Sequence, residues 1–175
     1  MDLKKSVRTI KGFPVEGINF RDITTLLKDS DAFAQSIDQL AEVAKDFEFD
    51  VILGIEARGF ILGAPLAYKL NKGFIPVRKT GKLPAATIKK SYGLEYGNDA
   101  VEIHEDAIFE GLKVLLVDDL LATGGTMRAV VDMVRSAGAK PVAAIFLIEL
   151  SDLNGKDKIE DIPVKSIMKF TEDEE

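Results

Sequence analysis

Cysteine is absent from this 175-residue chain and histidine occurs once, at His104. Without thiols there are no disulfides and no thiolate metal ligands, and a lone imidazole cannot supply the paired histidines of a zinc site. No apolar stretch approaches the roughly 20 residues that span a bilayer, and no apolar run follows the basic residues of the N-terminus. No membrane association is therefore expected, and a cytoplasmic location is. Basic residues are outnumbered 23 to 29, leaving a net charge of -6. That is the wrong sign for a surface built to neutralise nucleic acid, so no nucleic-acid partner is expected. Repeats, low-complexity tracts and flexible linkers are missing too. Chemistry must rest on carboxylates, lysines, arginines, hydroxyls and backbone N–H groups.

What is present suits one folded domain over residues 1–175. The length allows one full core and not two, and 46% hydrophobic with 30% charged residues is a globular composition. After an irregular arm over residues 1–30, Ser30 is expected to cap a helix whose Phe33, Ile37, Leu40, Ala41 and Ala44 recur at helical spacing. Asp50 to Ile55 reads as a strand, about Gly59 to Leu70 as an apolar helix, and Phe74 to Arg78 as a strand. Residues 79–110 change to Gly, Lys, Tyr and short alternating pieces, which predicts a mobile loop and a small antiparallel excursion. Lys113 to Asp118 is a further strand, Thr126 to Ala137 a helix ended by Gly138, and Val142 to Leu150 a strand. The acidic tail from Thr171 to Glu175 is expected to fray. This alternation predicts an α/β fold: doubly wound, with a mainly parallel central sheet and flanking helices. Such sheets bind ligands beyond the carboxyl ends of their strands, which directs attention to the turns after Ile55, Arg78 and Asp118.

The third of these turns carries the most information. In Val114 to Thr126 (VLLVDDLLATGGT) a buried strand delivers Asp118 and Asp119, and Ala122, Thr123, Gly124, Gly125 and Thr126 then open a helix. Glycines at a helix start let backbone N–H groups approach a ligand closely, and with the helix dipole they favour a phosphate. Thr123 and Thr126 can donate hydroxyls to the same oxygens. Two ionised carboxylates only accept hydrogen bonds, which suits neighbouring sugar hydroxyls and repels a second phosphate. Neither GxxxxGK[ST] nor GxGxxG occurs, so the common nucleotide loops lose support.

The string resembles the phosphoribosyl-pyrophosphate motif of the type I phosphoribosyltransferases. The resemblance runs over nearly the whole chain and is closest to the adenine phosphoribosyltransferases, through GINFRDIT at 17–24, GIEARGFILG at 54–63, VRKTGKLP at 77–84, YGLEYG at 92–97, VDDLLATGGT at 117–126 and IEL at 148–150. It implies transfer of the 5-phosphoribosyl group from phosphoribosyl pyrophosphate to adenine, giving AMP and pyrophosphate in purine salvage. It also implies magnesium carried on the substrate, with no dedicated protein metal ligand, and a homodimer. The arm would form a small hood contributing to the base pocket, and residues 79–110 a lid and its antiparallel excursion.

By the same resemblance, Ala122 to Thr126 would hold the 5-phosphate while Asp118 and Asp119 hold the ribose hydroxyls. Arg58 would face the pyrophosphate, joined by Arg78, Lys79 and Lys82. Glu95 would be the acid that exchanges a proton with the purine, so that Glu95 and Arg58 are the expected catalytic residues, with Tyr96 in the lid beside them. Phe20, Arg21 and Leu150 would line the adenine pocket, and the Glu56–Ala57 peptide would be cis. Plainer readings stand beside these: an Arg58–Glu56 surface ion pair, a solvated basic loop for Lys79, Lys89 and Lys90, and simple core for Phe20 and Leu150. Departures from the family pattern are Glu56–Ala57 in place of Asp–Ser, Gly93 within the tyrosine motif, and Ala85–Ala86 in the lid. The alternatives in function are a 6-oxopurine phosphoribosyltransferase, for which no convincing lysine and acid pair is found, and a non-catalytic phosphoribosyl-pyrophosphate sensor, for which the length leaves no added module.

Overall fold

A computed structural model describes residues 2–93, 99–172 and 174. A hairpin of β1 (Arg8–Lys11) and β2 (Asn19–Asp22) precedes a short helix α1 (Thr24–Lys28) and the longer α2 (Ser30–Ala44). Then follow β3 (Val51–Ile55), α3 (Arg58–Leu70), β4 (Gly73–Lys79), β5 (Thr87–Tyr92), β6 (Asp99–His104), β7 (Lys113–Leu121), α4 (Gly125–Ser136), β8 (Lys140–Leu150) and β9 (Val164–Phe170). The main sheet has seven strands in the order β5-β6-β4-β3-β7-β8-β9. Pairing is parallel from β4 through β9, and antiparallel where β6 joins β4 and β5. The expected mainly parallel, doubly wound sheet is therefore present.

The continuous apolar runs follow from burial on both sheet faces. Val114 and Leu116 of β7 belong to the core that includes Met127, Val130 and Val134 of α4. Leu115 and Val117 belong to the opposite core, with Leu40 and Ala41 of α2 and Leu62 and Leu66 of α3. Successive strand side chains alternate between faces, so a strand covered by helices on both sides cannot show a polar alternation. Each fully buried Leu or Val contributes about 1.5–3 kcal/mol over an exposed one. These layers hold the carboxyl ends of β3, β4 and β7 side by side.

Several boundaries differ from expectation. Asp29, not Ser30, caps α2, because its carboxylate accepts from the N–H of both Asp31 (3.0 Å) and Ala32 (2.9 Å). β7 runs three residues past Asp118, so the aspartates lie within a paired strand, with Leu120 and Leu121 still opposite Ile148 and Glu149. The described part of the tail is fastened: Arg21 donates to the carbonyls of Thr171 (2.9 Å) and Glu174 (2.7 Å), and Lys4 Nζ reaches Glu174 at 3.1 Å. The arm is ordered as the β1–β2 hairpin and joined to that tail. No helix among the described residues is long and apolar enough to cross a membrane, which says nothing of strand-built spans.

Candidate active site

A crevice of about 550 Å³ opens where β3, β4 and β7 end, lined by Glu56, Ala57, Arg58, Arg78, Lys79, Tyr92, Asp118, Asp119 and Thr126 among others. Six of the residues singled out for phosphate and sugar (Arg58, Arg78, Lys79, Asp118, Asp119 and Thr126) thus meet in one place. The Glu56–Ala57 peptide at the base of this crevice is cis. Arg58 pairs with Asp119, Nε to Oδ2 at 2.6 Å, and not with Glu56. Glu56 instead accepts from Arg78 Nε (3.3 Å) and from the Lys79 N–H (2.9 Å). The Lys79 N–H is the main cause holding the Glu56 carboxyl below its ordinary range, with the Arg78 guanidinium adding to it against the cost of burial.

The two aspartates are electrostatically unlike ordinary surface acids. Asp119 is only 5% exposed. Burial pushes Asp118 well above the usual carboxylate range, and the charge of Asp119 beside it pushes in the same direction. Burial also raises Asp119, with Arg58 opposing. The Asp119 N–H donates to Asp118 Oδ1 at 2.8 Å, which fixes one carboxylate against the backbone of the other residue. Such a pair is short of donors, and hydroxyl donors entering the crevice would relieve it.

Next to the crevice lies a smaller cup of about 100 Å³, lined by Asp118, the whole run from Leu120 to Met127, and Phe146. Ala122, Thr123, Gly124, Gly125 and Thr126 are all in its wall. Gly124 takes φ +83° as the N-cap of α4, a conformation open to glycine, and no side chain caps the helix there. The first N–H groups of α4 are left to whatever enters the cup.

Lys82 is not in the crevice lining; its carbonyl accepts from Arg78 Nη1 at 3.3 Å. The turn that carries it is held by Glu102, 2% exposed, which accepts from the N–H groups of Gly81 (3.0 Å) and Leu83 (3.4 Å). Burial works against the Glu102 charge, but those N–H groups together with Lys89 and Thr87 outweigh it and keep the carboxyl below its ordinary range. The residues expected around adenine are split. Arg21 and Leu150 share a cavity of about 410 Å³ with Ile18, Asn19, Leu153 and Phe170. Phe20, the next residue on β2, instead lies under the Arg58 guanidinium at 5.5 Å, with Phe13 edge-on at 5.2 Å. The Arg21 side chain is committed to the tail carbonyls, to Thr9 Oγ1 at 2.5 Å and to the Phe170 ring at 4.5 Å. Glu95 and Tyr96 lie outside the described residues. No site role was expected for Tyr92, Glu56 or Glu102: Tyr92 opens the YGLEYG match, Glu56 stands within GIEARGFILG and Glu102 follows both the lid and tyrosine motifs, and nothing in residue type separates them from solvated positions.

A buried acid pair beside a small glycine-lined cup on a mainly parallel α/β sheet is the setting of this site, and the class of the chain is the phosphoribosyl transferase domain, whose family model matches residues 19–174. An adenine phosphoribosyltransferase from Clostridium acetobutylicum is 54% identical over 170 residues, covering 97% of this chain and 99% of its own length. One from Halothermothrix orenii is 55% identical over 168 residues, covering 96% and 99%. The crystal structure of adenine phosphoribosyltransferase from Thermoanaerobacter pseudethanolicus superposes with a TM-score of 0.93 at 51% identity, covering 97% of this chain and 98% of that one. The Saccharomyces cerevisiae enzyme, complexed with adenine and an imino-altritol bisphosphate, superposes at 0.86 with 38% identity, covering 98% and 96%. The chain belongs to the adenine phosphoribosyltransferase family.

Proposed function

We propose that the crevice at the ends of β3, β4 and β7 is where this purine salvage enzyme makes AMP and pyrophosphate from adenine and phosphoribosyl pyrophosphate. The observation that carries the reading is the adjacency of the Asp118–Asp119 pair to the Ala122–Thr126 cup, with Arg58 2.6 Å from Asp119. In this reading the 5-phosphate occupies the cup on the first N–H groups of α4, with Thr123 and Thr126 hydroxyls adding donors. The ribose hydroxyls donate to Asp118 and Asp119. Arg58, Arg78 and Lys79 hold the pyrophosphate, the arginines through their planar forks. Lys82 joins them from the adjoining turn.

The sugar C1–oxygen bond breaks with its electron pair leaving on pyrophosphate, and the incoming ring nitrogen of adenine forms the new bond and sheds its proton. Positive charge develops on the ribose as in glycoside chemistry, so the negative charge carried by the aspartate pair that holds the hydroxyls stabilises it. Glu95 exchanges the purine proton, and the lid over residues 82–96, including Tyr96, closes over the site to exclude water. Magnesium carried on the pyrophosphate would neutralise leaving-group charge there. Among the described residues no group of three or more His, Cys, Asp or Glu side chains could hold a metal, and in this reading the ion comes with the substrate. Arg21, through its main chain, and Leu150 bound the adenine pocket, and Phe20 stacks on the base from the Arg58 side. A homodimer in the cytoplasm completes the reading.

A base-competition assay tests it. Purified protein with magnesium and phosphoribosyl pyrophosphate is expected to consume adenine and release AMP in preference to guanine, hypoxanthine or xanthine. Conversion of an oxopurine with adenine untouched overturns the base assignment, and tight ligand binding without product from any base turns the decision to a sensor.

A further inference from the structure

Behind the phosphate cup stands a segment that the reaction as described does not use. After β8, Gly155–Ile159 forms a tight helical stretch, and its first residue presses on the loop. A Cβ built on Gly124 would lie 2.3 Å from the Gly155 carbonyl oxygen, and one built on Gly155 would lie 2.3 Å from the Ala122 carbonyl oxygen. Neither strand of backbone has room for a methyl group. Gly124 also has a positive φ, whereas no such φ is found at Gly155, so contact alone demands glycine there.

The segment is fastened at both ends. Lys156 Nζ lies 2.8 Å from Glu149 Oε2, and Glu149, 7% exposed on β8, accepts from Ser166 Oγ of β9 at 2.5 Å. Burial works against the Glu149 charge, yet these two donors keep its carboxyl below the ordinary range. At the other end Arg128 of α4 donates to Asp161 at 2.8 Å and to the Lys158 carbonyl at 3.4 Å, and Arg135 also pairs with Asp161. The sheet therefore holds one end of the segment and the phosphate-binding helix the other.

We propose that Gly155 is a positioning residue for the phosphate loop, and that the Lys156–Glu149 ion pair is the latch that keeps it against Ala122 and Gly124. The proposal rests on the cup being the 5-phosphate site. Gly155 acts through the loop: it sets the backbone so that the N–H groups opening α4 converge on one phosphate. Affinity for any ligand carrying that phosphate then depends on the latch, and affinity for adenine does not.

The test is calorimetric titration of ribose 5-phosphate into the wild-type chain, Gly155→Ala, Lys156→Met and Lys156→Arg, with melting temperatures, and with the KM for adenine measured at saturating phosphoribosyl pyrophosphate. Gly155→Ala is expected to weaken ribose 5-phosphate binding about tenfold or more, as overpacking against fixed backbone does. Lys156→Met is expected to weaken it about threefold to tenfold, Lys156→Arg to restore it, and the adenine KM to stay unchanged. Wild-type affinity in a folded Gly155→Ala overturns the proposal, as does an adenine KM that rises in parallel. If Gly155→Ala does not fold, Lys156→Met decides, since that side chain is 35% exposed and its loss brings no backbone overlap, while the melting temperature reports the cost of leaving Glu149 without its cation. A wild-type chain that binds no ribose 5-phosphate overturns the assignment of the cup itself, a result distinct from failure of the latch.

Discussion

Arg58 Nε and Asp119 Oδ2 face each other at 2.6 Å across the crevice, so the cation assigned to pyrophosphate and an anion assigned to ribose neutralise one another directly. A substrate that brings both a polyanion and hydroxyl donors replaces each half of that pair with a better-matched partner. Asp119→Asn keeps the shape but removes the charge that, in the proposed reaction, a ribose hydroxyl and a cationic ribose would both use. Losing a charge-assisted hydrogen bond lowers kcat/KM by about 10- to 100-fold, read from steady-state AMP formation, with the melting transition still cooperative.

Asp118 gives a stability prediction of unusual sign. Its carboxyl is raised in the folded chain, first by burial and then by Asp119. The folded state therefore holds the proton to higher pH than the unfolded state, and the resulting stabilisation is lost as pH rises through the raised value. Asp118→Asn keeps an acceptor for the Asp119 N–H and removes the charge. Its melting temperature is expected to exceed that of the wild type by about 2–4 °C at mildly alkaline pH, corresponding to roughly 1 kcal/mol. The difference should shrink as pH falls toward the ordinary carboxylate range.

Asp22 titrates in the opposite direction. Hydrogen bonds from Arg8 and from the Thr24 N–H hold its carboxyl down from 3.8 to about 2. A depressed folded value means stability that is present above 3.8 and lost as pH falls toward about 2. Asp22→Asn is expected to melt below the wild type at neutral pH and to converge with it in acid, a comparison that thermal melts across that window make directly.

Arg21→Ala removes a side chain that is 3% exposed and leaves the carbonyls of Thr171 and Glu174 without their donor. Truncating a buried charged donor costs about 2–3 kcal/mol, measurable by denaturant unfolding. Because the adenine pocket is proposed to use the main chain at this position, the KM for adenine should rise by less than the stability loss would suggest.

The parts of the fold legible in the sequence are those where one physical signal dominates. Val114 to Val117 reads as a strand because burial on both faces demands continuous apolar residues, and the Gly124–Gly125 turn reads as a phosphate loop because glycines at a helix start let backbone N–H groups approach a ligand, with Gly124 at φ +83° the one whose conformation calls for glycine. β9 was not foreseen: Val164–Phe170 carries exposed Lys165 and Lys169 at a sheet edge, and its exposure varies along the strand. The end of β7 was placed too early because two aspartates resemble a strand terminus, whereas Leu120 and Leu121 continue the ladder beyond them. The choice between Asp29 and Ser30 as cap is decided by which side chain reaches two N–H groups, a matter of backbone direction. Gly155 carries no local signal, since its meaning lies in a contact with Ala122 and Gly124 some thirty residues earlier.

The most direct measurement is a crystal structure with AMP bound. The phosphate is expected on the N–H groups of the Ala122–Thr126 loop, with both ribose hydroxyls within hydrogen-bond reach of Asp118 and Asp119 and Arg58 released from Asp119. AMP seated elsewhere, with its phosphate on Arg58 and Arg78 or its ribose away from the two aspartates, would contradict the account.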